Sequence, residues 1–163
     1  MSRTRRIVVI GAAVVIVGFI ALQFVGNFVP TFARTNPSVT YKINWNTPET
    51  EQLMRAACYD CHSNETIWPW YSNIAPISWL IAKDVNEGRR KLNFSTGHGE
   101  IEAEELVRQI ERGEMPPSIF LIMHPEANLS GDQKATLVSG IKATLGGGLE
   151  RGEAGEETDR DND

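Results

Sequence analysis

The sequence predicts an all-α protein, with one apolar helix at the N-terminus followed by a single small helical domain. Three observations carry this expectation. An almost unbroken apolar run extends from Ile7 to Val29. Later segments repeat apolar residues at three- and four-residue spacing between recognisable helix starts and stops, and nothing alternates as a half-buried strand does.

The N-terminal run continues from Ile7 to Leu22 and on through Phe24 and Val25, with only Gln23 and Asn27 as polar breaks. About 20 apolar residues in helical geometry match a ~30 Å hydrocarbon core. The run is too long for a typical signal h-region, and no A-x-A-like cleavage site follows. Residues 1–30 therefore read as an uncleaved signal anchor, a single transmembrane helix, with a cleaved signal as the rival. Arg3, Arg5 and Arg6 precede the span and only Arg34 follows closely, which places the N-terminus in the cytoplasm and the rest of the chain outside.

Residues 31–46 contain Asn36, Pro37 and Asn44 without a helical period and read as an extended linker. Thr47 then supplies an N-cap and Pro48 a first helical residue, while Glu49 and Glu51 suit the positive end of the helix dipole. Leu53, Met54 and Ala57 give this helix an apolar face that runs into Cys58. After it comes a loop dense in aromatics, including Trp68, Trp70 and Tyr71. Pro76 opens a helix through Ile77, Leu80, Ile81 and Val85, which ends at Arg89, Arg90 and Lys91. That basic end either is solvated or neutralises carboxylates of a bound group. Asn93 to Gly99 is a polar loop.

Glu100 to Arg112 forms the clearest amphipathic pattern, with Ile101, Leu106, Val107 and Ile110 on one side, and Gly113 stops it. Ser130-Gly131-Asp132-Gln133 is a capping box for a last helix through Leu137, Val138, Ile141 and Leu145, which Gly146 ends. One domain over residues 47–145 results. Residues 146–163 hold seven acids against Arg151 and Arg160, which accounts for the whole net charge of −5. So polar a stretch is expected to be a disordered acidic tail, either solubilising or able to dock a basic partner. With no charge excess left for the folded part, nucleic acid is not expected as a partner.

Cys58-Tyr59-Asp60-Cys61-His62 is a C-x-x-C-H pentad. Thiols three positions apart on one helical turn can reach both vinyl groups of a haem while the adjacent imidazole meets the iron, so the pentad predicts covalent haem c with His62 as proximal ligand. A thioredoxin-like pair would belong in a strand-rich α/β chain. A zinc site would want further ligands, yet Cys58 and Cys61 are the only cysteines. A chance match or a simple disulfide remains. In bacteria this attachment takes place outside the cytoplasmic membrane, the compartment that the arginine asymmetry indicates. Trp68, Trp70, Tyr71 and Trp79 could wall in the apolar ring, or could be ordinary core.

For the second iron ligand, Met115 stands in Glu114-Met115-Pro116-Pro117, where prolines stiffen the backbone beyond a helix stop. His124, followed by Pro125, would instead make a bis-histidine site. Met123 and His98 compete less well, and Met54 lies one turn before Cys58 on the proximal side.

The ordered series of pentad, Trp68-Pro69-Trp70-Tyr71, Ala75-Pro76, Trp79-Leu80, Gly88-Arg89-Arg90, Leu92-Asn93-Phe94-Ser95, Gly113-Glu114-Met115-Pro116-Pro117, His124-Pro125 and Leu129-Ser130 resembles the bacterial haem-binding domain family related to class I cytochromes c. The likeness spans roughly residues 45–141. It implies a class I cytochrome c-like helical domain, haem binding and electron transfer, and a distal ligand from the Met-Pro loop, here Met115. The chain departs from the family where Thr96-Gly97-His98-Gly99 stands in place of an aromatic soon after Ser95, and His98 inherits no role. The expected protein is a membrane-anchored monohaem cytochrome c serving an unidentified redox partner. Its iron is filled by His62 and Met115, and it is not an enzyme and has no small-molecule substrate. The rivals are a sensor or peroxidase-like protein with an open sixth position, and a haem subunit of a respiratory complex.

Overall fold

In the computed structural model, which describes residues 2–99 and 102–146, the chain is all-helical, and no strand occurs among the described residues. The helices are α1 (Arg3–Val25), α2 (Pro48–Met54), α3 (Asp60–His62), α4 (Ile77–Lys91), α5 (Ala103–Glu111), α6 (Ser118–Leu121) and α7 (Gly131–Leu145). The expected tail lies outside the described residues, apart from Gly146, as does Ile101 of the amphipathic pattern.

Helix α1 is apolar all round, and none of its residues is buried in the protein. At 23 residues it is ~35 Å long, enough to cross a membrane. A helix of this kind near an N-terminus fits both a membrane span and a signal sequence.

Helix α2 begins as its residues dictate. Thr47 Oγ1 accepts from the Thr50 N–H at 3.1 Å, and Pro48 occupies the first helical position, where no N–H is needed. The helix does not continue unchanged into the pentad. Arg55–Tyr59 forms a π-helical turn, and α3 resumes the α geometry through Asp60, Cys61 and His62. Such an inserted turn re-aims the side chains that follow it. Ser63 closes the unit, its hydroxyl donating to the Tyr59 carbonyl at 2.7 Å.

The core lies between α2, α5 and α7, with Met54, Tyr59, Phe94, Val107, Leu137 and Ile141 buried together. Phe94 stacks on Tyr59 at 5.4 Å between centroids and meets Trp45 edge-on. The capping box at Ser130 forms, with Ser130 Oγ and Gln133 each serving the other's backbone N–H. Two glycines permit the close crossings. A Cβ at Gly140 would stand 2.1 Å from Thr50 Oγ1, and one at Gly88 would stand 2.4 Å from the Cys61 carbonyl oxygen. Gly88→Ala is therefore expected to force α4 off the pentad, costing about 1–3 kcal/mol by overpacking. Denaturant unfolding followed by haem absorbance would measure this loss.

After a 3-10 turn at Pro30–Phe32, residues 33–46 run without helix or strand and form a strap packed along the domain. Ile43 is buried in the core. The Thr40 and Tyr41 N–H groups both donate to the Ser95 carbonyl, at 2.8 and 2.9 Å.

Arg89 holds the strap in place. It turns inward, away from the basic helix end, and its guanidinium donates to the carbonyls of Ser63 (2.7 Å) and Thr35 (2.7 Å), to Asn36 Oδ1 (2.9 Å) and to Thr66 Oγ1 (2.8 Å). Its donors are thus committed to neutral groups that join the pentad's exit to the strap, whereas Arg90 and Lys91 face solvent. Arg89→Ala would leave these neutral acceptors without their donor, and we expect a cost of about 2–4 kcal/mol from the lost hydrogen bonds. The readout is the unfolding midpoint of the detergent-solubilised full chain; a change under 1 kcal/mol would contradict this role.

Candidate functional site

The site is built around the end of the α2–α3 unit. His62 is half-buried, and that burial holds its pKa below the ordinary histidine value, so the imidazole is neutral at pH 7. A neutral ring carries one N–H, and Nδ1 stands 3.1 Å from the Leu92 carbonyl, which can only accept. The proton is therefore assigned to Nδ1, and Nε2 keeps a free lone pair. This is the tautomer of a metal-ligating histidine whose ring is oriented by a backbone carbonyl. Phe94 supports the ring at 6.2 Å.

Cys58 and Cys61 are free thiols. Each keeps some exposed surface, yet burial of the sulfurs pushes the Cys58 thiol up to about 12 and the Cys61 thiol up to about 11. After burial, the neighbouring Cys61 adds to the rise at Cys58, while at Cys61 the carboxylates of Asp60 and Asp84 add to it and Arg89 opposes it. Groups so firmly protonated at neutral pH are poor candidates for disulfide exchange, which needs a thiolate. No cluster of three or more His, Cys, Asp or Glu residues poised to hold a bare metal ion exists among the described residues. The pentad thus lacks the converging ligands of a zinc site.

The chain leaving the pentad is gripped from outside. Phe94 N–H donates to the His62 carbonyl at 2.8 Å, Asn64 N–H to Ser95 Oγ at 2.9 Å, and Asn93 Nδ2 to Asn64 Oδ1 at 2.8 Å. The Ser95 N–H returns to Asn93 Oδ1 at 2.9 Å, an Asx-type turn. Gly97 and Gly99, at φ 66° and 87°, close this loop, and the Tyr41 ring of the strap lies against Gly97. Leu92, Asn64, Asn93 and Ser95 were not singled out by their chemistry. The Asn-x-Ser spacing at Asn93 and Ser95 is the local signal that could have found them.

Met115 follows the end of α5, where the local sequence makes a complete Schellman stop. Gly113 takes φ 68°, its N–H donates to the Ile110 carbonyl at 3.1 Å, and the Glu114 N–H donates to the Gln109 carbonyl at 3.0 Å. The Met115 N–H also reaches the Gln109 carbonyl, at 3.2 Å, and the Met115–Pro116 bond is cis. Met115 is half-buried, so its backbone is well held while its side chain is not consumed by the core.

The competing ligands are differently placed. Both ring nitrogens of His124 are engaged, Nδ1 at 3.0 Å from the Phe120 carbonyl and Nε2 at 3.4 Å from the Tyr71 hydroxyl, and the ring stacks on Phe120 at 3.8 Å. His98 is exposed on its loop with Nε2 near the Arg90 carbonyl. Met54 is fully buried in the core, and Met123 is exposed.

Of the aromatic residues considered as a wall, Trp68 donates to Asn36 of the strap and Trp79 stacks on Phe32 at 5.6 Å, so both serve the N-terminal side. Tyr71 bears on His124. Beside the pentad, Ile67 is tethered by its N–H to Asp60 Oδ1 at 2.8 Å with its side chain exposed, and Leu80 is exposed on α4. Ile119 and Ile122 are exposed on the segment leading to His124. A neutral imidazole with a free Nε2, two protonated thiols at three-residue spacing and uncovered aliphatic side chains form a donor set and a setting that fit a haem.

A model of the haem-binding domain family matches residues 17–143, well over half of the chain, and the match begins inside α1. No curated protein and no solved structure matches significantly.

Proposed function

The chain belongs to the haem-binding domain family, and from that premise we propose that it is a membrane-anchored monohaem cytochrome c carrying single electrons on the outer side of the cytoplasmic membrane. The observation that carries this reading is the Nδ1 contact of His62 with the Leu92 carbonyl at 3.1 Å, which leaves Nε2 for iron beside two free thiols. Haem supplies a one-electron couple when bound. Cys58 and Cys61 would hold it covalently through thioether bonds, and His62 and, from its stiff loop, Met115 would bind its iron. Met115 is favoured because it alone among the alternatives is neither sealed in the core, fully exposed, nor held at both donor atoms. A filled coordination sphere leaves no site for a substrate, so the protein is a carrier and not an enzyme. Its partner is another redox protein. The arginines before α1 keep the N-terminus in the cytoplasm, and α1 serves as the anchor.

The deciding experiment is an absorption spectrum of the purified full chain in both oxidation states, with and without carbon monoxide. A low-spin spectrum indifferent to carbon monoxide supports the carrier; ready binding of carbon monoxide would replace it with a sensor or peroxidase-like protein. For topology, a periplasmic reporter fused after Asp163 should be active and should fractionate with membranes. A soluble product starting near Thr31 would show a cleaved signal.

A further inference from the structure

The outer end of α1 is joined to the domain at several points. Gln23 Oε1 accepts from the Ala75 N–H at 2.9 Å, and Gln23 Nε2 donates to the carbonyls of Phe19 (3.0 Å) and Ala75 (3.5 Å). Gly26 lies so close to Trp79 that a Cβ there would stand 3.1 Å from the indole nitrogen. Phe32 stacks on the same indole, and Asn86 Nδ2, two turns further along α4, donates to the carbonyls of Thr31 and Ala33 at 2.9 and 3.2 Å. Arg34 donates to the Ser72 carbonyl. The strap and α4 therefore run side by side away from the end of α1.

This register sets a depth. With Arg6 in one headgroup layer, Gln23 lies ~26 Å along the helix, at the far edge of a ~30 Å hydrocarbon core. A bare amide there would be costly, but the Gln23 side chain and the Ala75 backbone satisfy each other. The residues flanking that pair are apolar and uncovered, with Phe28 83%, Trp70 72%, Ile77 49% and Ile74 38% exposed. An exposed tryptophan on such an apolar patch is what a membrane interface selects. Taking the anchored reading above as its basis, we propose that the lipid of the outer leaflet covers Phe28, Trp70, Ile74 and Ile77, so that the domain rests on the bilayer through its 70–77 segment. Gly88, against which Cys61 packs, lies ~16 Å along α4 from Ile77. The pentad is thereby kept close to the membrane, which suits exchange with a membrane-embedded redox partner.

The test uses the full-length haem-loaded protein in phosphatidylcholine–phosphatidylglycerol liposomes containing a trace of phospholipid with a diazirine high on one acyl chain. Illumination followed by peptide mapping should place lipid adducts on α1, on the Phe28 peptide and on residues 70–77, and none on α7. Adducts on α1 without any on 70–77 would overturn the resting surface while leaving the anchor intact. An absence of adducts on α1 would remove the anchor itself, and the resting surface with it. Gly26→Leu should displace Trp79 and abolish labelling of 70–77 while α1 stays labelled and the haem spectrum is unchanged. Persistence of 70–77 labelling in that variant would overturn a placement set by the end of α1.

Discussion

Full-length protein carrying Cys58→Ala and Cys61→Ala is expected to leave a cytochrome c maturation system with no covalently held haem. The wild type should retain its haem through denaturation and through acidified organic solvent, because a thioether bond survives both while an iron–imidazole bond does not. Each single substitution should leave one attachment, and so a shifted absorption spectrum with partial retention. The expectation follows from the two free thiols at three-residue spacing, protonated by burial and set on either side of Asp60 at the end of one helical unit. The structural consequence should be as large as the chemical one. The Ile67 side chain, tethered beside the pentad through Asp60, remains uncovered by protein, and burial of such aliphatic surface against a ring is worth roughly 25 cal/mol per Å². The double variant should therefore lose cooperative unfolding together with haem. Haem that is extractable from the wild type by acidified solvent would show that Cys58 and Cys61 do not form thioethers.

Much of the scaffold is written in local chemistry, and those parts are the ones that were legible. The Thr47-Pro48 start, the Ser130–Gln133 capping box and the Gly113 stop each depend on residues within one turn of each other, and each forms as those residues require. The pentad was legible for the same reason. The π-helical turn at Arg55–Tyr59 was not, since its register answers to Tyr59 packing between Phe94 and Trp45, which join it only in the fold. Arg89 was ambiguous because a basic helix end has the same local sequence whether solvated or buried. Its acceptors, Thr35, Asn36, Ser63 and Thr66, come together from separate segments. The packing of the strap is not legible on the same ground, as its partners Ser95 and Arg89 lie some fifty residues away. Trp79 looked like a wall for the ring, and only the position of Gly26 and Phe32 shows that it receives the end of α1.

Replacing Met115 by alanine is expected to change the electronic state of the iron while leaving the fold in place. The Schellman stop that positions residue 115 is made by backbone groups of Gln109, Ile110, Gly113 and Glu114, none of which the substitution touches. With the sulfur present, the ferric protein should be low-spin and show the weak long-wavelength band of a sulfur–iron bond; Met115→Ala should lose that band. A neutral, soft ligand favours ferrous iron, so its loss should lower the reduction potential by on the order of 0.1–0.3 V, within the ~0.8 V that axial ligands span. The variant should also bind carbon monoxide and cyanide, which the wild type should resist. His124→Ala supplies the control. Its ring nitrogens face the Phe120 carbonyl and the Tyr71 hydroxyl, so its removal should cost about 1–2 kcal/mol of stability by lost hydrogen bonds and leave the spectrum nearly unchanged. Met123→Ala, at an exposed position, should do neither. If His124→Ala, and not Met115→Ala, turns the haem high-spin, the imidazole leaves both contacts on haem binding and the site is bis-histidine, with a lower potential. If neither substitution matters and the wild type binds carbon monoxide freely, the iron is five-coordinate, and a ligand-responsive haem protein takes the place of the electron carrier.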